Sequence, residues 1–136
     1  MITFLSLLKE TESSKQCAKA LKNITPINWW DATYRPRTFE IIQIGDYKLS
    51  IQASVCHYCE PARTLDDLTQ YKSMEIAIVK GNKWIHPRND EYIRQFARYD
   101  ELIDKYQEGE QPVGEFVPVD LIEDLIEYLR CGDEKK

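Results

Sequence analysis

Histidine is sparse in this chain, with His57 and His86 the only two in 136 residues. A general base therefore has few places to come from. Glycine is also scarce at five residues, and none stands in a phosphate-cradling loop. That absence argues against an ordinary nucleotide-hydrolysing or dinucleotide-using enzyme. No apolar run approaches the length needed to span a bilayer. The opening MITFLSLLKE is broken at Ser6 and followed by Lys9 and Glu10, with no basic leader and no small-residue cleavage site. The expectation is an intracellular, cytoplasmic protein without membrane contact. Its four cysteines, Cys17, Cys56, Cys59 and Cys131, are then expected to stay reduced, and their scatter does not read as a disulfide framework.

The chain is long enough to bury a core without disulfides or metal, and 43% hydrophobic with 11% aromatic residues excludes disorder. A single domain over 1–136 is expected. Net charge is −5, unevenly spread: residues 100–136 hold 12 acidic against 4 basic side chains. An acidic C-terminal third repels phosphates, so double-stranded nucleic acid is an unlikely partner. The central region carries Arg35, Arg37, Arg63, Arg88, Arg94 and Arg98. Any bound anion is expected there.

Hydrophobic spacing predicts short helices at 2–9 and 13–22, the second capped by Thr11, Ser13 or Ser14. Pro26 closes that region, and the aromatic stretch 27–36 follows with Trp29 and Trp30 side by side. Residues 37–44 and 47–54 form a hairpin across Gly45-Asp46, and 72–80 and 83–86 a second across Gly81-Asn82. The loop 61–71 carries a helical turn over 64–68 with Thr64 as its cap. Tyr92, Ile93, Phe96, Tyr99, Leu102, Ile103 and Tyr106 recur at helical spacing, predicting one helix over 90–107. A short strand at 115–119 then leads into an amphipathic helix over 120–129 capped by Asp120. The fold class predicted is α+β: an antiparallel β-meander sheet of four to five strands, N-terminal helices and two C-terminal helices.

The stretch YKLSIQASVCHYCEP at 47–61 focuses the chemistry. Tyr47, Leu49, Ile51 and Ala53 alternate with Lys48, Ser50, Gln52 and Ser54, and the strand runs out into Cys56, His57, Tyr58 and Cys59. Polar groups at the end of a strand are held in place by the sheet. Cys56, His57, Cys59 and His86 have zinc-ligand chemistry, but the second ligand pair of a knuckle is missing, so no metal or other cofactor is expected. Thiol catalysis needs a base, and only His86 qualifies, because His57 points to the opposite face from Cys56 on an extended strand. The reading leans away from an enzyme.

Three segments each join a ring, a proline and a guanidinium: 34–37, 57–63 and 84–89. They nominate Arg35, Arg37, His57, Tyr58, Arg63, Trp84, His86 and Arg88 as ligand-binding, with Trp30 and Tyr34 as further stacking rings. Arginine forks grip phosphate oxygens and rings stack on bases, so the ligand expected is a phosphorylated nucleotide-type molecule. The competing account has these arginines paired with carboxylates on the surface.

QASVCHYCEP, YKSMEIAIV and GEFVPVDLIEDLI together resemble a group of small uncharacterised phage and prophage accessory proteins, over 47–129. The resemblance implies a viral accessory product and carries no reaction or ligand with it. Two binding functions follow from that setting: sequestration of a nucleotide-type host immune signal, or inhibition of a host defence nuclease through Glu123, Asp124, Glu127 and Asp133. A small metal- or thiol-dependent enzyme is the third. A homo-oligomer would supply further arginines to a pocket between subunits.

Overall fold

The computed structural model describes residues 2–24 and 32–134. Thr11 starts the first helix, α1 (Glu12–Ile24): its hydroxyl accepts the Ser14 N–H at 3.2 Å, and Glu12 stands in the first turn. The predicted helix at 2–9 is a single 3₁₀ turn, Phe4–Leu7, anchored by burial of Phe4. Trp29 and Trp30 lie outside the described residues.

Two antiparallel hairpins follow as predicted, β1 (Ile42–Ile44) with β2 (Tyr47–Gln52), and β3 (Ser73–Lys80) with β4 (Lys83–Ile85). β3 is the hub of the five-stranded sheet: β2 lies along one edge, while β4 and β5 (Gly114–Pro118) share the other end to end. The register sets Leu49 opposite Ile78 and Ile51 opposite Ile76, so the apolar alternation of β2 meets that of β3. β1 is shorter than the predicted 37–44. Before it, Phe39 is held by Gln52, whose amide oxygen accepts the Phe39 N–H at 2.7 Å and whose nitrogen donates to the Phe39 carbonyl at 3.0 Å. A side chain there stands in for pairing with β2, while on the other side the Glu40 N–H donates to the Lys9 carbonyl at 2.7 Å and the Thr11 N–H to the Thr38 carbonyl at 2.9 Å.

The helix predicted over 90–107 is two: α2 (Glu91–Arg94) and α3 (Tyr99–Asp104). Between them Phe96 donates to the Ile93 carbonyl and Tyr99 to the Phe96 carbonyl, each at 3.0 Å, a tighter three-residue spacing. That spacing keeps Ile93, Phe96 and Leu102 on the buried side, so the periodicity survives the break. The last helix, α4 (Val119–Glu134), runs beyond the predicted 129 and buries Leu121, Ile122, Leu125, Ile126 and Leu129. Asp120 lies inside its first turn and pairs with Arg98 at 3.0 Å. The far end of α4 closes on the first hairpin and on α2. A Cβ on Gly132 would stand 2.5 Å from the Tyr92 ring, and one on Gly45 2.5 Å from the Asp133 carboxylate. Gly45 also sits at φ 59°, as the turn requires.

The sheet's inner face, the helices α2, α3 and α4, and Phe4 form one apolar cluster that includes Met74, Ile76, Ile78 and Val117. This is the predicted α+β domain with an antiparallel sheet. Among the described residues no helix is long and apolar enough to cross a membrane.

Candidate functional site

Beyond Gln52 the chain leaves β2 through a compact turn. The Ser54 carbonyl accepts the His57 N–H at 3.1 Å, the Ser54 hydroxyl accepts the Cys56 N–H at 3.1 Å, and that hydroxyl lies 2.7 Å from His57 Nδ1. Serine thus closes the turn from both its backbone and its side chain. His57 is turned onto Ser54, and burial together with the Arg37 charge holds its imidazole below the ordinary histidine range. Cys59 is buried, its thiol donating to the carbonyls of Ser54 and Pro61 at 3.3 Å, while Cys56 is exposed.

Arg37 organises the space behind this turn. Its guanidinium is buried and donates to the carbonyls of Leu65 at 2.7 Å and Ala53 at 2.6 Å and to the Tyr71 hydroxyl at 3.1 Å. It also lies 4.6 Å over the Phe39 ring. Among the described residues no carboxylate is within ion-pairing distance of it. The Tyr71 hydroxyl extends the network, accepting the Leu65 N–H at 2.8 Å and donating to the Arg63 carbonyl. Thr64 fastens the loop from its other side: its hydroxyl donates to the Arg35 carbonyl and accepts the Val55 N–H at 3.1 Å. Thr64 therefore does not cap the predicted turn at 64–68. The turn falls at Leu68–Gln70, where the Asp67 side chain accepts the Thr69 N–H at 3.0 Å.

The eight predicted ligand residues do not share one cavity. Arg35, Arg37, His57 and Arg63 meet at the C-terminal end of β2, around Thr64 and Tyr71. Within that set Arg35 is committed to Glu10, with contacts of 2.8 and 3.1 Å that hold the Glu10 carboxyl below the usual range. Arg63 is different: its side chain is exposed, lies 4.2 Å over the exposed Tyr34 ring, and has no carboxylate within ion-pairing distance among the described residues. Tyr58 stands further along, exposed, its ring 5.8 Å edge-on from Phe116. Phe116 lies in a bulge, where two β5 residues oppose Glu75 of β3, and takes φ 53°.

The remaining three residues lie along the β4 edge. Trp84 is 39% exposed, enough for a surface contact. His86 is buried edge-on against Tyr106 at 5.2 Å, and its Nδ1 accepts the Arg88 N–H at 3.3 Å. Burial and the nearby Arg88 charge depress its pKa. Arg88 forms a two-point pair with Glu108. The sequence reading expected His86 to be the base for Cys56 or Cys59. Its ring packs edge-on against Tyr106 and its Nδ1 accepts the Arg88 N–H, and among the described residues no hydrogen bond joins it to either thiol. Among the described residues no group of three histidine, cysteine or acidic side chains is placed to hold a metal.

The acidic C-terminal face is partly engaged as well. Glu123 accepts the N–H of Phe4 at 2.8 Å and that of Thr3, fastening the first turn, and Asp124 pairs with Arg98 at 2.7 Å. Arg98 also holds Glu101 and Asp120.

Sequence reasoning missed Glu10, Gln52, Thr64 and Tyr71 as the residues that organise this end. Gln52 left a signal only as a polar residue of the predicted strand 47–54, and Thr64 only as the expected cap of the 64–68 turn. A groove of ≈ 220 Å³ lined by Ser13, Ser14, Cys17, Pro36, Arg37 and Thr38 opens beside the arginine cluster. It is smaller than pockets that enclose drug-sized ligands, about 300 Å³ and upwards. A second cavity of ≈ 190 Å³, between Ile44, Tyr47, Lys80, Tyr92 and Leu129, touches none of the eight residues.

No family model, curated protein or solved structure matches the chain.

Proposed function

We propose that this protein is a non-catalytic binding protein that takes a phosphorylated, ring-bearing ligand of nucleotide type on the open face formed by Tyr34 and Arg63. One observation carries the reading: Arg63 is exposed and stacked on an exposed tyrosine, while Arg35 and Arg88 are held by carboxylates. One Arg63 nitrogen donates to the Ala62 carbonyl at 3.1 Å, and the remaining N–H groups of the exposed guanidinium are donors for phosphate oxygens, with the ring beside it as a stacking surface. Arg37 adds positive charge behind the loop, tied to the Arg63 carbonyl through the Tyr71 hydroxyl. Taken with the resemblance to phage accessory proteins, the function becomes capture of a host immune signal without chemical change. The predicted eight contract accordingly: Arg63, with Tyr34 beside it, contacts ligand, Arg35 and Arg37 build the loop, His57 is held on Ser54, Tyr58 packs against Phe116, and Trp84, His86 and Arg88 stand outside.

Calorimetric titration with ADP-ribose and with a cyclic dinucleotide tests this. Arg63→Glu is expected to weaken binding at least tenfold, whereas Arg88→Glu leaves it within twofold. No heat with either nucleotide, or equal losses in the two variants, would remove the proposal.

A further inference from the structure

We infer that Cys56 and Cys59 form a reversible dithiol–disulfide couple. The binding role above uses neither thiol, so this site stands apart from it. The two cysteines are separated by His57 and Tyr58, and the backbone bends at both of these residues. His57 donates to the Ser54 carbonyl at 3.1 Å and Cys59 to the His57 carbonyl at 3.0 Å. The Cys59 N–H bond to the His57 carbonyl closes a three-residue turn over Tyr58, which folds the chain back between the two cysteines. A disulfide joins Cα atoms about 4.4–6.8 Å apart, and the couple requires the folded-back segment to bring the pair into that range.

The cysteines differ in access, and the difference assigns their roles. Cys56 is exposed and meets an oxidant first, whereas Cys59 is 1% exposed and is reached only from within the turn. Burial also raises the Cys59 pKa, which favours its protonated thiol. The oxidant is a low-molecular-weight disulfide. The Cys56 thiolate attacks one of its sulfurs, forming a mixed disulfide and releasing one thiolate. Cys59 then loses its proton to solvent and attacks Cys56 Sγ, closing the protein disulfide and releasing the second thiolate. Two protein thiols are oxidised and one small disulfide is reduced to two thiols. Closure takes the Cys59 hydrogen away from the Ser54 and Pro61 carbonyls it now serves.

The test uses folded protein carrying Cys17→Ser and Cys131→Ser, treated with oxidised glutathione, quenched by alkylation and cut with trypsin. Cleavage after Lys48 and Arg63 releases residues 49–63 with both cysteines. The expected product is that peptide lighter by two hydrogen atoms, without adduct, restored by dithiothreitol. Adding Cys59→Ser should trap one glutathione on Cys56, and adding Cys56→Ser should leave Cys59 unmodified until the protein is denatured. A glutathione adduct that persists on Cys56 while Cys59 is present would overturn the assignment, as would modification of Cys59 at the rate of Cys56. The first measurement changes neither residue of the pair, so it stands even if a serine variant fails to fold.

Discussion

Arg37→Ala is expected to destabilise the protein by about 4 kcal/mol, measured by urea unfolding. The substitution strips the donor from the carbonyls of Leu65 and Ala53 and from the Tyr71 hydroxyl, all within the buried network behind the β2 turn. Each buried acceptor left without a partner costs about 1–3 kcal/mol, and the lost packing over Phe39 adds to that. Arg37→Lys recovers little, because an ammonium on a flexible stem cannot address three acceptors from one plane. No carboxylate stands opposite this guanidinium among the described residues, and together with burial its charge holds His57 below the ordinary range, so the cost should be smaller at pH 5 than at pH 8. A penalty under 1 kcal/mol would mean that the network is not formed.

Asp90→Ala is the second large effect, about 3 kcal/mol by the same measurement. The Asp90 carboxylate accepts the Tyr47 hydroxyl on both oxygens at 2.9 Å, caps α2 through the Ile93 N–H at 3.0 Å and meets Lys80 at 3.2 Å. A lost cap costs about 1 kcal/mol, and the buried Tyr47 hydroxyl without its acceptor costs about 1–3 more. Burial works to raise the Asp90 pKa, but the Ile93 N–H, the Tyr47 hydroxyl and Lys80 outweigh it and hold the group below its ordinary 3.8. The folded state therefore binds the proton less readily than the unfolded chain. The associated stability is fully present above the unfolded value and is lost as pH falls through the lower folded one. Asp90→Asn keeps acceptors for the cap and the tyrosine but cannot titrate. Its unfolding midpoint should fall less steeply than that of the parent below pH 4.

The sheet was legible because period-2 alternation is local. Tyr47, Leu49 and Ile51 announce their face within five residues, and both turn glycines mark the hairpins. The break between α2 and α3 was not legible, since a tightened turn preserves the same apolar spacing. The site was legible only in part, for a reason of range. The rings and guanidiniums are visible in sequence, but what each guanidinium bonds to lies far along the chain: Glu10 is 25 positions from Arg35, Leu65 is 28 from Arg37, and Glu108 is 20 from Arg88. Folding decides which arginine is tied to a carboxylate or a buried carbonyl and which stays exposed. Arg63 stays open because its neighbours in space are Tyr34 and backbone carbonyls.

The most direct test of the binding account is amide chemical-shift mapping by NMR during titration with ADP-ribose and a cyclic dinucleotide. One of them should shift the amides of residues 33–37 and 54–65 in a saturable way, leaving those of 84–89 in place. Shifts confined to the β4 edge or to α4, or no shifts with either nucleotide, would contradict it.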